Sequence, residues 1–119
     1  MDKWQAIQSF WESFSIPAYD ETTVPDNAQM PYVTYNAAVD SLDRPTVLTA
    51  SLWYKTNSWS EISQKADEIS DALIQVKTIP LDVGYLYVTR GQPFAQRMVD
   101  EDDTVRRIYL TLMVEFLAP

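Results

Sequence analysis

The sequence predicts an α+β domain: a mainly antiparallel β-sheet with two amphipathic helices packed on it, in the order α-β-β-α-β-β(-β). Three observations predict it. The last stretch, roughly Val105 to Leu117, alternates side-chain character with a period of two. The stretch after Ser58 repeats apolar residues at helical spacing. The chain has 119 residues, the length of one domain, so residues 1–119 are read as a single unit. A chain of this size buries roughly two-thirds of its unfolded surface, enough for one core without staples.

The first helix is expected from about Asp2 to Phe14. Trp4, Ile7, Trp11 and Phe14 recur at spacings of three and four, with Phe10 beside them, which gathers them on one face. Asp2 stands where an N-cap is wanted. Ser15-Ile16-Pro17 ends the helix, because a residue before proline avoids helical dihedrals. Residues 17–31 carry Pro17, Pro25 and Pro31 among polar residues and read as an irregular surface loop. Its length leaves two readings open, a role of its own or a passive cover over a sheet edge.

A strand is expected from Pro31 to about Val39, with Val33, Tyr35 and Ala37 alternating with Tyr32, Thr34 and Asn36. Residues 40–45 make a turn. A second strand spans about Thr46 to Thr56, with Leu48, Ala50, Leu52 and Tyr54 on one face and Val47, Thr49, Ser51 and Trp53 on the other. Both faces are partly apolar, which implies a cover on each side, with a neighbouring subunit as one source of it.

Ser58-Trp59-Ser60-Glu61 matches the capping-box spacing and predicts the start of the second helix. Trp59, Ile62, Ala66, Ile69, Leu73 and Val76 follow helical spacing, and the helix is expected to end near Lys77, with Pro80 preventing continuation. Asp82-Val83-Gly84 reads as a turn and Tyr85 to Arg90 as a short strand. Gly91-Gln92-Pro93 breaks it, and Phe94 to Val99 is a strand or an extended arm. In the terminal strand Ile108, Leu110, Leu112, Val114 and Phe116 share the core face, with Arg107, Tyr109, Thr111, Met113 and Glu115 opposite. No internal repeat or low-complexity segment appears.

Composition narrows the function. Nine basic residues against 17 acidic give a formal net charge of −8. Phosphate binding works through Lys and Arg that release counterions, so this balance argues against autonomous nucleic-acid binding. The chain has no Cys, which excludes disulfides, thiolate catalysis and Cys-ligated metal and fits a reducing cytoplasm. It has no His, so the commonest general base and transition-metal ligand are missing. Its two glycines, Gly84 and Gly91, cannot make a P-loop or a dinucleotide fingerprint. The expectation is therefore a protein that is not an enzyme, with no catalytic, cofactor-binding or metal-ligating residue. No signal-peptide pattern is evident, and no apolar run approaches the ~20 residues that span a bilayer.

Asp100-Glu101-Asp102-Asp103 lacks the alternating ligands, central glycine and terminal glutamate of a calcium loop. It reads either as a solvated turn or as an acidic contact meeting Arg97, Arg106 or Arg107 of a next subunit. The same arginines are alternatively partners in surface pairs within the chain, worth under ~1 kcal/mol. Trp53, Tyr54 and Trp59 read as a core corner between strand and helix rather than an aromatic binding surface. Tyr85 and Tyr87 share one strand face and read as interface residues or as ordinary half-buried positions.

Several fragments together carry a resemblance. Met30-Pro31-Tyr32-Val33-Thr34-Tyr35 opens a strand after a proline-bearing loop, and Ser51-Leu52-Trp53-Tyr54 precedes Ser58-Trp59-Ser60-Glu61-Ile62. Pro93-Phe94-Ala95-Gln96-Arg97-Met98 leads through acids to Arg106-Arg107-Ile108-Tyr109-Leu110 and Glu115-Phe116-Leu117. Over most of the chain this resembles the small tail-terminator and neck proteins of siphophages and prophages. The resemblance implies an α/β subunit that forms a homo-hexameric ring on the head-proximal end of the tail tube; the charged arm before the last strand is expected to order with a partner, so that the free subunit is a monomer that assembles on the tube.

That ring stops tube polymerisation and presents a docking surface to the head. The implied partners are further copies of the chain, the tail tube protein and the head connector or stopper protein. DNA passes through the lumen without sequence-specific binding, and no membrane is involved. The implied location is the virion neck, assembled in the bacterial cytoplasm. Ring and tube contacts are expected in the loop from Asp20 to Gln29 and the arm from Phe94 to Asp103. The candidate interface residues are Phe94, Arg97, Met98, Asp100, Asp102, Asp103, Arg106, Arg107, Tyr85 and Tyr87. The alternatives are another neck or head-completion connector and a small acidic cytoplasmic adaptor or inhibitor.

Overall fold

The computed structural model describes residues 1–37 and 45–117. Their elements run α1 (Lys3–Glu12), β1 (Ala18–Asp20), β2 (Tyr32–Tyr35), β3 (Thr46–Lys55), α2 (Ser60–Ala72), β4 (Lys77–Pro80), β5 (Tyr85–Met98) and β6 (Val105–Leu117). The strands form one six-stranded sheet in the order β1-β2-β3-β6-β5-β4. Every pairing is antiparallel except β1 on β2, which is parallel. The fold is thus α+β with a mainly antiparallel sheet and two helices, as the alternation and helical spacing predicted.

The centre of the sheet is the β3–β6 pair, in register from Thr46↔Val114 to Lys55↔Val105. Leu48, Ala50, Leu52 and Tyr54 of β3 and Ile108, Leu110, Leu112 and Val114 of β6 are all buried on the helix-bearing side. Val33 and Tyr35 extend that face through β2, and Leu86 and Val88 extend it through β5. Against it lie Ala6, Ile7, Phe10 and Trp11 of α1 and Ile62, Ala66 and Ile69 of α2. Phe10 meets Trp11 and Phe14 edge-on at 5.0 and 5.3 Å, a favoured aromatic geometry.

Local chemistry sets the helix ends. Asp2 caps α1 by accepting the Gln5 backbone N–H at 2.8 Å, and the Gln5 side chain accepts the Asp2 N–H at 2.9 Å. This reciprocal box satisfies donors that a helix start leaves free. The N-cap was read correctly, but Trp4 is 49% exposed and lies outside the core face assigned to it. Its ring sits beside Lys3 instead.

The predicted capping box of α2 does not form. Trp59 is the N-cap residue and no side chain caps the helix; the Ser58 hydroxyl accepts the Ser60 N–H at 3.1 Å instead. This helix stops at Ala72 rather than near Lys77. Helical spacing persists to Val76, yet Val76 is 55% exposed, and Lys77–Pro80 leaves the helix to pair with β5. Pairing with a neighbouring strand outweighs local helical propensity here.

Three strand expectations are also revised. Ala18–Asp20 is a short edge strand inside the stretch read as irregular loop. The strand expected to reach Val39 ends at Tyr35, while residues 38–44, including most of the expected turn, lie outside the described residues. Gly91-Gln92-Pro93 does not end β5. That strand continues to Met98, with a register shift between Arg90 and Ala95 against β6. A β-bulge absorbs residues that cannot keep the ladder, proline among them.

Gly91 is required at that shift by close approach. A Cβ there would stand 2.5 Å from Thr111 Cγ2 and 3.0 Å from the Thr111 carbonyl oxygen. Gly91→Ala is expected to destabilise the fold by roughly 1–3 kcal/mol, the usual cost of overpacking, as a lower midpoint in urea unfolding.

Candidate functional site

Period-two geometry sends alternate residues of each strand to the side opposite α1 and α2. On β3 these are Val47, Thr49, Ser51 and Trp53; on β6 they are Arg107, Tyr109, Thr111, Met113 and Glu115. Tyr32 and Thr34 continue the face on β2, and Tyr85, Tyr87 and Thr89 on β5. Away from the strand ends, Arg107 and Glu115 are the charged residues of this face among these positions, although 22% of the chain is charged. An interface core has this composition: few charges, with Tyr, Trp, Met and Arg over-represented.

Arg107 is fixed within the face. Its Nε donates to Ser51 Oγ at 3.0 Å, and Ser51 is itself 4% exposed. The guanidinium carbon lies 4.8 Å from the Trp53 ring centroid and 5.8 Å from that of Tyr109. Trp53 is anchored in turn, its indole N–H donating to Thr34 Oγ1 at 2.9 Å. Asn36 accepts the Thr49 N–H at 2.9 Å and donates to the Thr49 hydroxyl at 3.1 Å. Together with Glu21 and Val24 these groups line an open hollow of about 650 Å³. The Arg107 guanidinium lies against the aromatic rings with Nε held by Ser51, and a guanidinium is the group suited to a carboxylate or phosphate fork.

The other arginines singled out in the sequence serve a different place. Arg97 pairs with Ile108 in register and Arg106 with Tyr54, so both project to the helix side. Their guanidinium carbons lie 4.8 and 5.4 Å from the Trp59 ring centroid. Arg97 reaches Ser63 Oγ at 3.4 Å, and Arg106 donates to the carbonyls of Asp103, Val105 and Asn57 at 2.9, 3.1 and 2.8 Å. Arg106 Nε is buried with no hydrogen-bond partner among the described residues. Arg106 thus ties the β5–β6 turn to the start of α2. Trp53, Tyr54 and Trp59, read as one corner, are divided by the sheet: Tyr54 and Trp59 lie on the helix side and Trp53 on the open side.

The acidic run is the turn between β5 and β6. Asp100 Oδ1 accepts the Asp102 N–H at 3.0 Å, while Asp102 Oδ1 accepts both the N–H and the hydroxyl of Thr104 at 2.8 and 2.7 Å. Lys55 Nζ stands 3.3 Å from Asp102. The Thr104 hydroxyl and N–H hold the Asp102 carboxyl down to about 2, from its ordinary 3.8, with Lys55 adding to the effect. Asp103 contributes a backbone carbonyl to Arg106. Among the described residues no group of three or more Asp and Glu is arranged to hold a metal ion.

Of the remaining candidates, Phe94 is half-buried and packs against the core, and Met98 is half-buried opposite Arg107 in register. Tyr85 is 49% exposed and Tyr87 half-buried, both on the open face. Sequence reasoning did not bring Ser51, Trp53 and Thr34 to Arg107. The alternation placed them on outward faces, but only the β3–β6 register joins them.

Thr104→Ala is expected to raise the Asp102 titration midpoint from about 2 towards 3.8, read by NMR of the side-chain carboxyl. The sign follows from a depressed folded-state value: the Asp102 contribution to stability is present above about 3.8 and is lost as pH falls through about 2. Arg106→Glu removes three donated hydrogen bonds and places an acid beside carbonyls. It is expected to lower folding stability by roughly 2–3 kcal/mol in urea unfolding. The chain matches no protein-family model and no curated protein.

Proposed function

We propose that this chain is a structural protein of virion assembly, a tail terminator. In this reading it forms a homo-hexameric ring on the head-proximal end of a phage tail tube. The ring halts tube polymerisation and offers the surface on which the head connector docks. DNA passes through the lumen without being read, and the acidic character of the chain favours passage over retention.

The observation that carries the proposal is the open sheet face. A sheet buries each apolar face against another layer, and the helices occupy one side. The other side displays Trp53 and Tyr109 beside Arg107, with Met113 and Tyr87 farther along the same face. That surface fits a protein partner better than solvent. The sequence resemblance to tail-terminator and neck proteins supplies the kind of assembly.

The test is electron microscopy of lysates from a phage lacking only this gene. Filled heads beside free, overlong tails are the expected outcome, because tube growth then has no cap. Tails of normal length that fail to join heads would move the protein to the connector side of the neck. Unchanged infectious particles would overturn the virion reading.

A further inference from the structure

We draw no further inference here: the strongest candidate, the open hollow around Arg107 and Trp53 on the sheet face opposite the helices, is lined by Glu21 as well as by that arginine, so its charge selects no ligand or partner, and nothing in the structure shows what covers it.

Discussion

The register between β3 and β6 is the constraint on which the rest of the structure depends. Ten residue pairs run without interruption from Thr46↔Val114 to Lys55↔Val105. The side-chain period in a strand is two, so a slip by one residue would exchange the faces of a strand. Leu110 and Leu112 would then leave the core, and Arg107 would enter it. The hydrophobic cost of that exchange is roughly 1.5–3 kcal/mol for each buried Leu or Ile turned outwards, before the burial of a guanidinium is counted. The same constraint that builds the core therefore places Arg107 beside Ser51 and Trp53. Core and candidate interface are two faces of one ladder.

The central ladder also organises the two groups of arginines. Arg106 and Arg107 are neighbours in sequence and point to opposite sides. Arg106 closes the junction between the β5–β6 turn and α2, where carbonyl groups need donors. Arg107 lies on aromatic rings at the open side. Arg97 joins Arg106 around Trp59, and Arg90 reaches Ser70 on α2 at 2.9 Å. Three arginines thus attach α2 and its approach to the sheet by hydrogen bonds and ring contacts. Their chemistry is alike, but strand parity gives Arg107 a different task.

Much of this was legible because alternation and burial agree. The bounds of β6 and its two faces could be read directly, since five apolar residues mark one side. The sequence also placed Asp2 at the start of α1, where one carboxylate and one amide satisfy each other's backbone. What could not be read depends on partners distant in sequence. Ala18–Asp20 is too short to show a period and becomes a strand by lying parallel to β2. The helical pattern runs on to Val76 on paper, but the helix stops at Ala72 and Lys77–Pro80 pairs with the edge of β5. Gly91-Gln92-Pro93 looks like a terminator, yet the sheet continues through it by a register shift. At the candidate site, the outward sets were readable strand by strand, whereas the meeting of Arg107 with Trp53 required the register between them.

The distribution of charge gives the proposed assembly its physical character. A net charge of −8 makes the long-range interaction between copies repulsive. The acids that produce it stand mainly on helices, loops and the β5–β6 turn, leaving the open sheet face charge-poor. On the proposed ring reading, any attraction between copies acts at short range, while repulsion extends over the Debye length of ~10 Å at 0.1 M salt. Added salt screens the long-range repulsion more than the close contact, so association through this face should strengthen with moderate ionic strength. A surface that pre-aligns several copies achieves the same result by raising their effective concentration. On the proposed reading the end of a tail tube is such a surface, and it is where a ring forms while free acidic subunits remain apart.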